Sequence, residues 1–311
     1  MIANTTIYNN TIALFLRDRA GGAVNHYSKD IGVGCGSEEN RYQDIFADNC
    51  RFFNGYDLQE NGLPYIDQQN YSTDILATKA VEVVLGHNTS KPLFLDFHPT
   101  VPHTPVLARQ EYLDMCGPNV SEAPKAYQPY FRSKVCAMVL SLDVAVFRII
   151  LALYSKQMLS STLFVFHSDN GGLEQAGSSN APYREGKGSL YEGGIHVAAF
   201  MYGHGVQSSY SRISHRKDLV HVSDMLPTLL GYAGIDIPRA VAHFDGFNHW
   251  DNLVLGRPLK RKHVPINAAS VAVGLYSGYI QKLYGHTWKY MFNPNVLIYS
   301  GTHSAAATGA K

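Results

Sequence analysis

Asp169 and Asn170 are adjacent side-chain oxygen donors, followed at once by Gly171 and Gly172. Carboxylate and amide oxygens are the ligands a hard cation such as Ca²⁺ takes. Two glycines allow the sharp turn and the close backbone approach such a site needs. Further on, Lys187 stands between Gly186 and Gly188, in a loop that runs to Glu192-Gly193-Gly194. A third candidate is the run His98-Pro-Thr-Val-Pro-His103-Thr-Pro105. Its prolines fix the loop geometry, and a histidine held there can donate a hydrogen bond to an ester oxygen or act as general acid to a leaving group. Taken alone, Asp-Asn-Gly-Gly reads first as a turn, and the two histidines read as well as loop residues. With the lysine loop added, the three stretches suit an anionic ester.

These residues need elements to position them. Thr162 to Phe166 are β-branched, aromatic and apolar, the composition of a strand buried on both faces. In an open α/β sheet, ligands sit just outside the carboxyl ends of strands. A second strand is expected over 195–201. Residues 71–86 follow a helical period, with Ser72 or Thr73 as cap and Ile75, Leu76, Ala80, Val83 and Val84 on one face. A buried strand over 93–97 leads into the histidine loop. Short and long helices are expected over 110–115 and 131–155. Asp143 lies within the long one and is assigned no chemistry. A helix follows His221, which is read as structural, and carries Pro227 near its start. A hairpin is expected within 278–290, and the small, polar residues 300–311 as a disordered tail. Helices alternating with strands predict an α/β fold.

The chain has 311 residues, 45% of them hydrophobic and 16% charged, which places it among globular chains of one large domain with an appendage. A formal net charge of +1 does not point to nucleic acid or to an anionic membrane surface. No apolar run is expected to approach the length of a membrane span. None of the four cysteines forms a C-x-x-C pair, which argues against a zinc or redox motif. Cys35 and Cys50 are expected to close a small disulfide loop. Sequons at Asn4, Asn9, Asn70, Asn88 and Asn119, with an even cysteine count, favour an oxidising, secretory or lysosomal route. The N-terminus does not read as a signal peptide, so the true N-terminus is expected to lie outside this sequence.

The order Tyr71-Ser-Thr73, Val101-Pro-His103-Thr-Pro105, Asp169-Asn-Gly-Gly172, Gly186-Lys-Gly188, Tyr191-Glu-Gly-Gly194, His221 to Leu229, Asp245-Gly-Phe247 and Thr287-Trp-Lys-Tyr290 resembles type I sulfatases. Within them it is similar to the arylsulfatase B (N-acetylgalactosamine-4-sulfatase) group with arylsulfatases I and J, over about residues 40 to 295. The resemblance implies an alkaline-phosphatase-like α/β sandwich. It has a central mixed sheet and a smaller C-terminal antiparallel subdomain, divided here as 1–255 and 256–311. It implies hydrolysis of sulfate esters, with a sulfated glycan or an aryl sulfate as substrate. Asp169 and Asn170 match calcium ligands, Lys187 a sulfate-binding lysine, and His103 the histidine near the leaving-group oxygen.

The same resemblance implies a formylglycine nucleophile made from cysteine in a C-x-P-S-R type motif, and this sequence contains no such motif. Cys116-Gly-Pro-Asn119 lacks the serine and arginine. The N-terminal Asp-Asp calcium pair and the G-K-W-H segment are missing too. Glu185 stands near positions of basic character in the family, and His196 where arginine is common. Three expectations therefore stand side by side: part of an active sulfatase, a non-catalytic glycan-binding homologue, or a related metal-dependent phosphoesterase.

Overall fold

A computed structural model gives the fold. It describes residues 59–61, 63–64, 70–103, 106–116, 129–206, 215–235, 245–266 and 277–292. The Cys35–Cys50 pairing and the tail at 300–311 lie outside them. The described residues fall into two units, one from the region up to 159 with 175–178, the other from 160–174 and 179 onward.

In the first unit, two-residue strands β1 (Gln59–Glu60) and β2 (Leu63–Pro64) form a small antiparallel pair. Helix α1 (Ser72–Gly86) follows. Neither Ser72 nor Thr73 caps it, as both lie inside the helix and are buried, and Tyr71 holds the cap position without a side-chain bond. Burial of Thr73, Leu76, Ala80 and Val84 recurs every three or four residues, one face of a helix. Helices α2 (Gln110–Met115) and α3 (Pro129–Ser155) pack with it. On α3 the buried stripe is Met138, Ser141, Ala145, Ile149 and Ala152. Full burial of a side chain such as Met138 stabilises by about 1.5–3 kcal/mol. The opposite stripe, Phe147, Leu151 and Tyr154, stays exposed, as does Asp143.

Two expectations change here. Arg132–Ser155, 24 residues within α3, is by length and composition apolar enough to cross a membrane. One such helix is weak evidence for a span, because helices packed in a protein core pass the same test, and α3 packs on α1 and α2. Residues 93–97 form no ladder among the described residues. Leu93, Leu95 and Phe97 are half-buried while Phe94 and Asp96 are exposed, so the extended alternation is present without a paired strand. The sulfurs of Cys116 and Cys136 are bonded, tying the end of α2 to α3.

In the second unit, β3 (Leu163–His167) pairs antiparallel with β4 (Ala199–Gly203), Phe166 opposite Phe200 with their rings stacked at 5.1 Å. β3 is half-buried rather than enclosed on both faces. The expected start of β4 at Ile195 is instead the end of a one-turn helix, α4 (Glu192–Ile195), closed by His196 N–H donating to Glu192 O at 2.8 Å. A 3₁₀ turn, Val222–Asp224, leads into α5 (Met225–Tyr232), with Pro227 buried in its first turn. His221 does act structurally: its ring accepts from Ser223 N–H and completes a capping box with Asp224. After α6 (Trp250–Val254) comes an antiparallel sheet of β5 (His263–Ile266), β6 (Ser277–Leu283) and β7 (His286–Phe292). β6 and β7 form the expected hairpin, turning at Tyr284 and Gly285. All ladders among the described residues are antiparallel.

Candidate active site

β3 delivers the candidate cation turn. Beyond its last ladder residue, Ser168 N–H still donates to Ala198 O at 3.0 Å, so the strand direction is held to the edge of the turn. The Ser168 hydroxyl then bonds Asn170 O, and Asn170 N–H donates to the Asp169 carboxylate, both at 2.8 Å. Asp169 is exposed and Asn170 half-buried at the mouth of this turn. Their side-chain oxygens stand at the carboxyl end of a strand, where α/β folds bind ligands.

The glycines explain how the turn meets the lysine loop. Gly171 N–H donates to Gly194 O at 2.9 Å, and a Cβ on Gly171 would lie 1.6 Å from Gly193 O. A Cβ on Gly193 would lie 1.8 Å from Glu185 O, whose residue adopts φ +60°. Bare backbones therefore interlock where any side chain would force them apart. Gly172 is gripped from both sides by Asn180, whose Oδ1 accepts from its N–H and whose Nδ2 donates to its carbonyl, each at 2.8 Å. The same carbonyl accepts from Lys187 N–H at 3.1 Å. Lys187 is thus fastened two residues beyond Asn170. Asn180 is the residue that reading the sequence missed. Its only signal is an amide-bearing residue before Ala181-Pro182, between two glycine-rich stretches.

A cationic and aromatic rim surrounds the lysine loop. The Arg184 guanidinium lies 4.3 Å from the centre of the Tyr191 ring, within cation–π range. The Tyr183 and His196 rings are 4.7 Å apart. Glu192 pairs with His196 at 3.1 Å and with Lys289 on β7 at 2.8 Å. Glu192 thereby gives the exposed His196, which stands where an arginine was expected, a carboxylate partner.

Asp169, Asn170 and Lys187 are brought together in the second unit; His103 belongs to the first. Its N–H donates to Thr100 O at 3.0 Å, in a turn containing the cis bond Val101–Pro102. The other loop histidine, His98, is paired with Asp96 at 2.6 Å. Cys116, being disulfide-bonded, has no thiol to offer as nucleophile. Ca²⁺ takes six to eight oxygens. Asp169 and Asn170 are donors of the right kind, but no group of three or more His, Cys, Asp or Glu among the described residues could hold a metal. The pair fits part of a coordination shell.

Comparison with known proteins finds sulfatases. The profile of the Sulfatase family matches residues 9–235. Arylsulfatase J of Mus musculus is 30% identical over 211 residues, 65% of this chain and 32% of that protein. N-acetylgalactosamine-6-sulfatase of Homo sapiens is 26% identical over 193 residues, 61% of this chain and 34% of that protein. The chain thus aligns with about a third of the length of these relatives. The crystal structure of Ps i-CgsB in complex with k-i-k-neocarrahexaose superposes with a TM-score of 0.63 at 26% identity, covering 88% of this chain and 58% of that one.

Proposed function

This chain belongs to the sulfatase family and has its alkaline-phosphatase-like α/β fold, and from that premise we propose that it carries the downstream part of a sulfuric ester hydrolase site. The observation that carries the reading is the shared carbonyl of Gly172, which fastens the Lys187 loop to the Asp169–Asn170 turn. Lys187 would hold a fixed ammonium against the sulfate oxygens. His103 would stand by the leaving-group oxygen and assist the departing alcohol. Asp169 and Asn170 would be two of the ligands of Ca²⁺. A divalent cation held there supplies further charge neutralisation at the sulfate. The glycine interlock fixes the two backbones that carry the donors and Lys187, which limits the reorganisation needed when a sulfate arrives.

The substrate class we favour is a sulfated sugar, as in the arylsulfatase B group. The sugar sulfatase and the neocarrahexaose-bound structure among the similar proteins support it. We further propose a secretory or lysosomal setting, supported by the Cys116–Cys136 disulfide and by the exposed sequon asparagines Asn70 and Asn88. A second reading, a non-catalytic glycan-binding homologue, is favoured by one observation: these 311 residues contain no C-x-P-S-R type motif. Both readings predict that 4-nitrocatechol sulfate is bound but not turned over by the purified chain. The separating experiment is genetic. An in-frame C-x-P-S-R encoded upstream of Met1 supports the hydrolase, and its absence there supports the binding protein.

A further inference from the structure

The sheet β5–β6–β7 has two unlike faces. Its inner face buries Val264, Ile266 and Ile280 against Leu190. Strand alternation puts the other set outside: Tyr279 opposite Tyr290, and Gln281 opposite both Trp288 and His263. Trp288 and Tyr290 are 62% and 66% exposed, and the His263 ring stacks on Tyr279 at 5.7 Å with 17° between planes. The outer face is therefore a row of flat rings with polar edges and an amide between them. Exposed apolar surface of this kind marks an interaction site.

Charge identifies what it meets. All 25 acidic residues lie at or before Asp251, whereas seven of the 26 basic residues follow it. The net charge of +1 conceals an acidic body and a basic C-terminal segment. Within that segment Arg261 is buried, but Lys260 and Lys262, just ahead of β5, are exposed. Carboxylates from elsewhere in the chain reach this segment at Lys289, Leu259 N–H and Arg261 (Glu192, Asp218 and Asp224), but the segment carries none of its own. The exposed Lys260 and Lys262 beside an open row of rings complement a polyanion that also offers flat faces for stacking.

We propose that the outer face of this sheet binds the chain of a sulfated polysaccharide, rings against sugar faces and lysines toward sulfates. This rests on the sulfated-sugar reading above and adds to it a chain-binding surface separate from the Asp169–Lys187 turn. The test is equilibrium binding of a size-defined chondroitin sulfate oligosaccharide to the full chain. Trp288→Ala, Tyr290→Ala, Lys260→Ala with Lys262→Ala, and Lys187→Ala are compared, with circular-dichroism melts confirming folding. The expected result is binding that Trp288→Ala weakens about fivefold or more and the lysine pair about twofold, with the desulfated oligosaccharide not bound. Affinity unmoved by Trp288→Ala, or equal for the desulfated chain, overturns the proposal. So does equally tight binding of a single-stranded oligonucleotide, or a Trp288-dependent dimer in sedimentation that excludes the oligosaccharide. Should Lys187→Ala leave small sulfate esters bound as before while Trp288→Ala still removes the oligosaccharide, the turn reading fails and this one stands.

Discussion

Asp224 is 1% exposed and receives four hydrogen bonds: from His221 N–H at 2.9 Å, Phe247 N–H at 2.7 Å, and Arg261 Nε and Nη2 at 2.7 and 2.6 Å. His249 Nε2 stands 3.3 Å away, its other ring nitrogen accepting from Lys260 N–H. Burial alone would raise the carboxyl pKa. The nearby His249 ring and the hydrogen bonds from Arg261 and the two backbone N–H groups outweigh it and hold the group well below the ordinary carboxylate range. A depressed folded-state pKa contributes stability that is complete above the unfolded value, about 3.9, and is lost as pH falls toward the folded one. The melting temperature should therefore decline as pH drops below about 4, and Asp224→Asn should flatten that decline. At neutral pH Asp224→Asn should cost about 3–5 kcal/mol, since Arg261 then stays buried without its counter-charge. Thermal melts across acid pH check both. At the candidate site, Gly171→Ala sets a methyl into Gly193 O and should cost about 1–3 kcal/mol, read in urea unfolding, while loosening sulfate ester binding.

At the scale of elements, the Cys116–Cys136 bond closes a loop of 20 residues. Chain-entropy arguments give it about 3 kcal/mol, so replacing both cysteines with serine should lower the urea midpoint accordingly. The helices were legible in sequence because their apolar residues repeat every three or four positions, as Leu76, Ala80 and Val84 do. The hairpin expected within 278–290 is the β6–β7 pair, 277–292, though the position of its Tyr284-Gly285 turn was not legible in the sequence. Residues 93–97 were not legible. Period-two alternation reports that a segment is extended, whereas a strand also needs a partner, which no local pattern names. Ile195 was misplaced for the converse reason: a single helical turn is too short to show a period. At the site, donor types at Asp169, Asn170 and Lys187 were readable one by one. The Asn180 clamp and the glycine interlock were not, because both depend on segments that meet only after folding.

At the scale of the molecule, the chain divides by charge as well as by unit. Its acidic residues end at Asp251, and the antiparallel sheet that follows is basic and ring-faced. Whole-chain net charge hid this division, since the two parts nearly cancel. As a member of the sulfatase family aligned with about a third of the length of its relatives, the chain is proposed to hold ligands for sulfate and cation without itself supplying the nucleophile. The most direct test is calorimetric titration of the purified chain, with Ca²⁺ present, using 4-nitrocatechol sulfate and, separately, 4-nitrocatechol. The predicted result is binding of the sulfate ester only, weakened about tenfold or more by Lys187→Ala, a loss of at least about 1.4 kcal/mol, with no release of 4-nitrocatechol. Equal binding of ester and parent phenol, indifference to Lys187→Ala, or steady hydrolysis by these 311 residues would contradict it.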